Sequence, residues 1–228
     1  MFVQSDRIRD YVFPLCIVED SPEGSSLQQF LGSGFLIGNN AFALTARHVL
    51  RGVEGRVCAL FVVNSEWRAF DISNIEFHPE EDVAIFKVNH PDLRSIFCFN
   101  NEFENASREY MQFAYPDDMM YELEVDGRAS GRPDMVFLKG YIRRRTNHPI
   151  PHIRGVQFFE LSQIGGTGCS GSPIFKPNNG GPFKVMGVYV AERLNERGTS
   201  VSYAVREDAI RDWIPNVLGH SLLTEAGS

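Results

Sequence analysis

The 228-residue sequence predicts an all-β protein made of two antiparallel β-barrels of six strands each, closed by a C-terminal helix. Three observations carry that expectation. Short apolar runs alternate with Gly, Pro, Asn and Asp, the punctuation of many short strands. One stretch, at about 93–108, breaks the pattern and divides the runs into two groups. Near the end, Ile210, Trp213, Ile214 and Val217 fall at helical spacing.

The elements follow in order. Tyr11–Glu19 is the first apolar run. Ser33–Gly38 and Ala41–Thr45 flank Asn39-Asn40, a pair suited to a hairpin turn. Arg56–Val63, Trp67–Ile75 and Asp82–Val88 complete an N-terminal barrel over about 10–92. After the crossover come Glu109–Tyr115, Met119–Arg128, Met135–Arg144, Gly155–Leu161, Pro173–Phe175, Phe183–Ala191 and Val201–Arg206, a C-terminal barrel over about 109–206. The closing helix is expected over about 207–218, with Pro215 straining its last turn. The whole of 1–228 is read as a single domain.

Composition narrows the function. Hydrophobic residues make up 43% and charged residues 22%, enough for a sizeable core in a globular chain. A formal charge of −7 argues against nucleic acid or an acidic membrane as the main partner. The N-terminus lacks a basic segment followed by an apolar one, and no apolar run reaches membrane-spanning length, so a cytoplasmic protein is expected. Cys16, Cys58, Cys98 and Cys169 lie far apart without a C-x-x-C pair. They read as buried reduced thiols rather than a zinc site, and no metal or cofactor is expected.

Chemistry concentrates in three places. Gly168-Cys169-Ser170-Gly171-Ser172-Pro173 is a glycine-bracketed turn with Ser170 at its centre. A serine hydroxyl becomes a nucleophile only when a base takes its proton and donors receive the resulting charge. Leu44–Val49 places His48 directly after an apolar strand, and Asp82 directly precedes Val83–Val88. Glu80 and Glu81 compete with Asp82 for the acidic role. His78, His90, His148, His152 and His220 have no such context and read as surface residues.

These motifs resemble the trypsin/chymotrypsin-like serine peptidases, and most closely their compact bacterial Deg/HtrA-like branch. Gly32–Ile37 resembles the branch's G-S-G-F stretch, and Leu44–Val49 its T-A-x-H element. Asp82–Val88 resembles D-[IV]-A-[LIV]. Gly168–Pro173 resembles G-x-S-G-G-P, with Ser172 in place of the second glycine. Gly187–Val190 and Ser202–Val205 resemble the last barrel strands, so the likeness runs from about Val12 to Leu218. It implies a trypsin-like double barrel and a serine endopeptidase acting on a protein or peptide.

Carried over residue by residue, the resemblance makes Ser170 the nucleophile, His48 the base and Asp82 its orienting acid. The backbone N–H groups of Gly168 and Ser170 would form the oxyanion hole. Ile164, six residues before Ser170, would sit at the base of the primary specificity pocket, with Val190, Ala191 and Glu192 along its wall. An apolar base implies small or medium apolar residues before the cut.

Departures from the family also inform. Cys169 stands where digestive enzymes carry an aspartate that pairs with a freed N-terminal amine, so activation by that route is not expected. Cys169 as nucleophile would lie one residue early. The chain ends soon after the expected helix, so no PDZ-like module is expected, and control by an activating or regulatory protein partner is. A catalytically silent, peptidase-fold binding module is the competing reading. The basic stretch Arg143–Arg145, continued by His148, His152 and Arg154, reads as a solvated loop or as a rim that steers acidic substrates.

Overall fold

The computed structural model describes residues 8–227 except 23, 65, 91–92, 118–119, 126–127, 178–182 and 195–199. The first half forms β1 (Val12–Ser21), β2 (Gly24–Ile37), β3 (Phe42–Thr45), a single helical turn α1 (Arg47–Leu50), β4 (Val57–Val63), β5 (Glu66–Phe77) and β6 (Ala84–Val88). These strands close into an antiparallel barrel in the order β1-β2-β3-β6-β5-β4. Side-chain alternation puts Phe13 and Phe86 on one face of the barrel wall and Phe35, Leu44 and Ile85, in register across β2, β3 and β6, on the other, and all five are buried. Phe13 anchors the interior, with its ring 4.7 Å from Phe61 and edge-on to Phe86 at 6.2 Å.

The second half forms β7 (Phe97–Phe99), β8 (Glu109–Ala114), β9 (Met120–Val125), β10 (Arg128–Pro133), β11 (Val136–Asn147), β12 (Gln157–Leu161), β13 (Pro173–Phe175), β14 (Phe183–Leu194) and β15 (Ser200–Arg206). The sheet order is β13-β8-β11-β12-β15-β14-β7, and a further β13–β14 pairing joins the ends of a six-strand path. A second apolar cluster fills it, including Tyr110, Phe159, Ile174, Met186 and Tyr189.

Beyond the early start of β2, at Gly24 rather than Ser33, three features differ from the sequence reading. The crossover contains β7, which pairs in parallel with β14. Phe97 on β7 contacts Phe35 of the first barrel and Phe175 and Phe183 of the second, so the crossover also carries core. The expected strand Met119–Arg128 is instead the hairpin β9–β10, a separate two-stranded sheet.

The closing helix is the third difference. It stops after one turn, α2 (Glu207–Ile210), because Pro215 has no N–H to donate to residue 211 and disfavours helical torsions at Ile214. The Pro215 carbonyl instead accepts from Leu218 and Gly219, closing a turn. A second short helix, α3 (Leu222–Ala226), starts where the Ser221 side chain accepts the Thr224 N–H at 3.2 Å. Among the described residues no helix is long and apolar enough to cross a membrane.

At the start of α2 the Glu207 carboxyl is 2% exposed. Burial, reinforced by Asp208, pushes its pKa up from 4.5 to about 8. The unfolded chain therefore releases this proton at lower pH than the folded one. The associated stability is full below pH 4.5 and is lost as pH rises towards 8. Glu207→Gln is expected to stabilise the fold at pH 8 by an amount on the order of a few kcal/mol, and to change it little near pH 4. Urea unfolding at the two pH values measures the difference.

Candidate active site

His48 is the second residue of α1, on the turn that ends β3. The turn is pinned where Arg47 N–H donates to the Asp82 carbonyl at 3.2 Å. The Asp82 carboxylate then holds His48 twice. Oδ1 accepts the His48 backbone N–H at 3.0 Å, and Oδ2 lies 2.6 Å from ring Nδ1. A carboxylate facing Nδ1 places the ring proton there and leaves Nε2 as the acceptor. Asp82 is buried, whereas the His48 side chain is 48% exposed. The carboxylate is thus shielded from water while the imidazole stays accessible.

His78 sets the position of Asp82. Its Nδ1 accepts the N–H groups of Glu80 at 3.2 Å and Glu81 at 2.9 Å, and its backbone N–H donates to Val83 O at 2.9 Å. Its ring packs edge-on against Trp213. Burial, with nearby Arg154, lowers its pKa from 6.5 to about 4, so the ring is neutral and able to accept both bonds at ordinary pH. His78 was expected at the surface and is instead 7% exposed. The bonds are local, to residues two and three positions on, but the burial that keeps the ring neutral comes from the distant Trp213 and Arg154. The competing Glu81 points elsewhere: both its oxygens lie 3.3 Å from the Val156 N–H, tying the turn to the 148–156 loop.

The serine turn docks against the first barrel beside His48. Gly168 and Gly171 have φ of +92° and +90°, torsions that favour glycine. A Cβ at 171 would lie 2.1 Å from both Ser33 O and Thr45 Oγ1, so no side chain fits there. Ser33 clasps the turn, its N–H donating to Ser170 O at 2.8 Å and its hydroxyl to Gly168 O at 3.0 Å. The same hydroxyl accepts Tyr115 N–H at 3.0 Å. Sequence reasoning used Ser33 only as part of a motif, although its position in Gly-Ser-Gly marked a close backbone approach.

Cys169 is buried, and its thiol donates to Gly165 O at 2.9 Å within the second barrel. It faces away from the cleft. Ser172 braces the turn, donating to Cys169 O at 2.7 Å and accepting from Gln112 at 2.8 Å. The N–H groups of Gly168 and Ser170 donate to no acceptor among the described residues. Ser170 Oγ meets the Val190 carbonyl at 3.4 Å. Val190 sits where the β14–β15 register shifts between Tyr189 and Ala191, an irregularity that re-aims the backbone.

A cleft of about 340 Å³ is lined by His48, Asp82, Val190 and Ala191 and by His152 and Ile153 of the 148–156 loop, and the serine turn adjoins it through the contact of Ser170 with Val190. Ile164 is 39% exposed. Between its neighbour Gly165 and β14 lies the buried Tyr189 ring, whose hydroxyl accepts Gly165 N–H at 3.0 Å and donates to Glu192 at 2.6 Å. Glu192 also accepts Gly166 N–H at 2.5 Å, so its carboxylate bridges β14 and the 164–166 segment. The Arg143–Arg145 stretch is largely neutralised: Arg143 and Arg144 meet Glu160, and Arg145 meets Asp208.

Two β-barrel units, with a histidine–aspartate pair and a glycine-framed serine at their junction, define the class of the chymotrypsin-fold proteins. The chain belongs to the trypsin-like peptidase domain family, whose model matches residues 32–183. No curated protein sequence matches it significantly. Among solved structures it is similar to the MamO protease domain of Magnetospirillum magneticum in its apo form. That match has 12% identity and a TM-score of 0.61, over 89% of this chain and 94% of that one. The HtrA-type protease AlgW, solved with a decapeptide, is similar at 14% identity and TM-score 0.65, over 88% of this chain and 62% of AlgW. The Rv3671c protease of M. tuberculosis in its active form is similar at 18% identity and TM-score 0.57, over 96% of this chain and 82% of that one. At these identities the likeness is one of fold.

Proposed function

We propose that the chain is a serine endopeptidase, with Ser170 as nucleophile, His48 as base and Asp82 as the acid that orients it. The 2.6 Å bond between His48 Nδ1 and the shielded Asp82 carboxylate carries this reading, because His48 lines the cleft together with Val190, whose carbonyl Ser170 Oγ meets. Ser170 Oγ attacks the scissile carbonyl while its proton passes to His48 Nε2. The carbonyl oxygen takes the negative charge and is received by the unoccupied N–H groups of Gly168 and Ser170. The intermediate collapses, the C–N bond breaks, and His48 gives its proton to the departing amine. Water, activated by the same imidazole, then hydrolyses the acyl-Ser170 ester and restores the enzyme.

The contact between Ser170 and Val190 O, at 3.4 Å, is long and weak. Such bonds are commonly loose in a free enzyme and tighten onto the base when substrate arrives. The proposed substrate is a protein or peptide, in keeping with the peptide held by AlgW in the similar structure. No step requires a metal or cofactor. A regulatory partner is part of the proposal only as the means of restraining such an activity.

A fluorophosphonate probe tests the reading directly, since it esterifies only a serine activated by a base. Labelling of the wild-type chain at Ser170, absent in Ser170→Ala, is the expected result. A folded wild-type protein that stays unlabelled would favour the silent binding module.

A further inference from the structure

The cleft beside His48 is walled by three arginines. Arg47 and Arg51, four residues apart on and just after α1, share a face, and Arg154 reaches in from the 148–156 loop. Each of the three is without a carboxylate partner among the described residues. Many arginines elsewhere do meet one, among them Arg9, Arg56, Arg108, Arg144, Arg145 and Arg211. The cleft's one acid, Asp82, is already committed to His48.

Neutral groups hold two of these cations in place. Arg47 Nη1 donates to His78 O at 3.1 Å, and its guanidinium lies 4.7 Å from the centre of the Phe77 ring. Arg154 donates to the Pro79 carbonyl. Their positions are therefore fixed, and the one cleft carboxylate that acts on Arg47, Asp82, is shared with His48. Burial is the main cause that lowers the Arg47 pKa; repulsion from Arg154 and Arg51 adds to it, and Asp82 opposes it. In a chain of net charge −7, a concave cluster of unpaired guanidiniums is an anion receptor, and guanidinium geometry matches a carboxylate.

We propose that this cleft selects substrates carrying a glutamate or aspartate next to the scissile bond, the carboxylate being received by Arg51 and Arg154 with Arg47 behind them. The inference rests on the peptidase reading for the words "scissile bond", but the receptor exists independently of turnover. The volume of about 340 Å³ accommodates one side chain, and Val190 and Ala191 supply the backbone edge beside it. The acidic-substrate role that the sequence suggested for Arg143–Arg145 thus falls to a different set of arginines.

The test uses fluorescent peptides, identical except for Glu or Gln at each position flanking the cut. Their binding to the full chain carrying Ser170→Ala is read by anisotropy, and wild-type cleavage is followed in parallel. One Glu peptide is expected to bind about tenfold more tightly than its Gln twin at low salt, with the advantage shrinking as salt rises. Adding Arg51→Gln or Arg154→Gln should collapse that ratio towards one. Arg68→Gln, which removes an exposed charge outside the cleft, should leave it in place. Equal binding of all Glu and Gln pairs, or a ratio indifferent to Arg51 and Arg154, overturns the inference. Probe labelling without a Glu preference would defeat the receptor and keep the peptidase. A Glu preference in an unlabelled protein would do the reverse.

Discussion

Ser170→Ala is expected to lower peptide hydrolysis by about 10⁶-fold, the scale seen when a nucleophilic serine of this chemistry is removed. Among the described residues of the turn, no alternative nucleophile is placed to substitute. Cys169 is buried and turned to Gly165 O, and Ser172 is buried between Cys169 O and Gln112. Stability should barely move, by about 0.5 kcal/mol at most, because the hydroxyl contributes one long contact to Val190 O at 3.4 Å. The turn itself is held by backbone groups, chiefly Ser33 N–H on Ser170 O. Steady-state hydrolysis and thermal unfolding of the same preparation separate the two quantities. Hydrolysis that persists undiminished in a folded Ser170→Ala protein would remove Ser170 from the mechanism.

Asp82→Asn is expected to cost about 10⁴-fold in kcat while keeping the local geometry. The reason lies in the two-oxygen grip on His48. One oxygen accepts the backbone N–H at 3.0 Å, and an asparagine carbonyl can continue to do so. The amide nitrogen then replaces the oxygen 2.6 Å from Nδ1 and can only donate. The ring must shift its proton to Nε2, the atom that should accept from Ser170. Nitrogen-15 spectra of His48 report the tautomer directly, and kcat reports its consequence. If Asp82→Asn retained kcat within about tenfold of wild type, the orienting role would be wrong.

Much of the architecture was legible because barrel strands leave local marks. Alternation and turn residues located the strands of the first barrel, each within a few residues except β2, which begins well before the expected Ser33. β7 escaped notice because three residues, Phe97–Phe99, are too short to show a period. The hairpin β9–β10 was merged into one strand, although Asp126-Gly127 between its arms is a turn signal. Beyond Ile210 the helical spacing produces no helix, because the N–H that Pro215 lacks outweighs it.

The sequence alone determined what depends on neighbouring residues: where strands begin, where glycine admits the torsions of the Ser170 turn, and that His48, Asp82 and Ser170 stand at strand ends. These are consequences of backbone sterics and side-chain alternation, which act over a few residues. Only the tertiary structure decided which of those ends meet. Barrel closure brings Asp82 under His48 and seats the serine turn on Ser33 and Thr45. The same packing buries His78 and Cys169, neutralises Arg143–Arg145, and leaves Arg47, Arg51 and Arg154 together at one cleft. Charge partners and burial are set by contacts between segments far apart in the chain, so no local pattern can carry them.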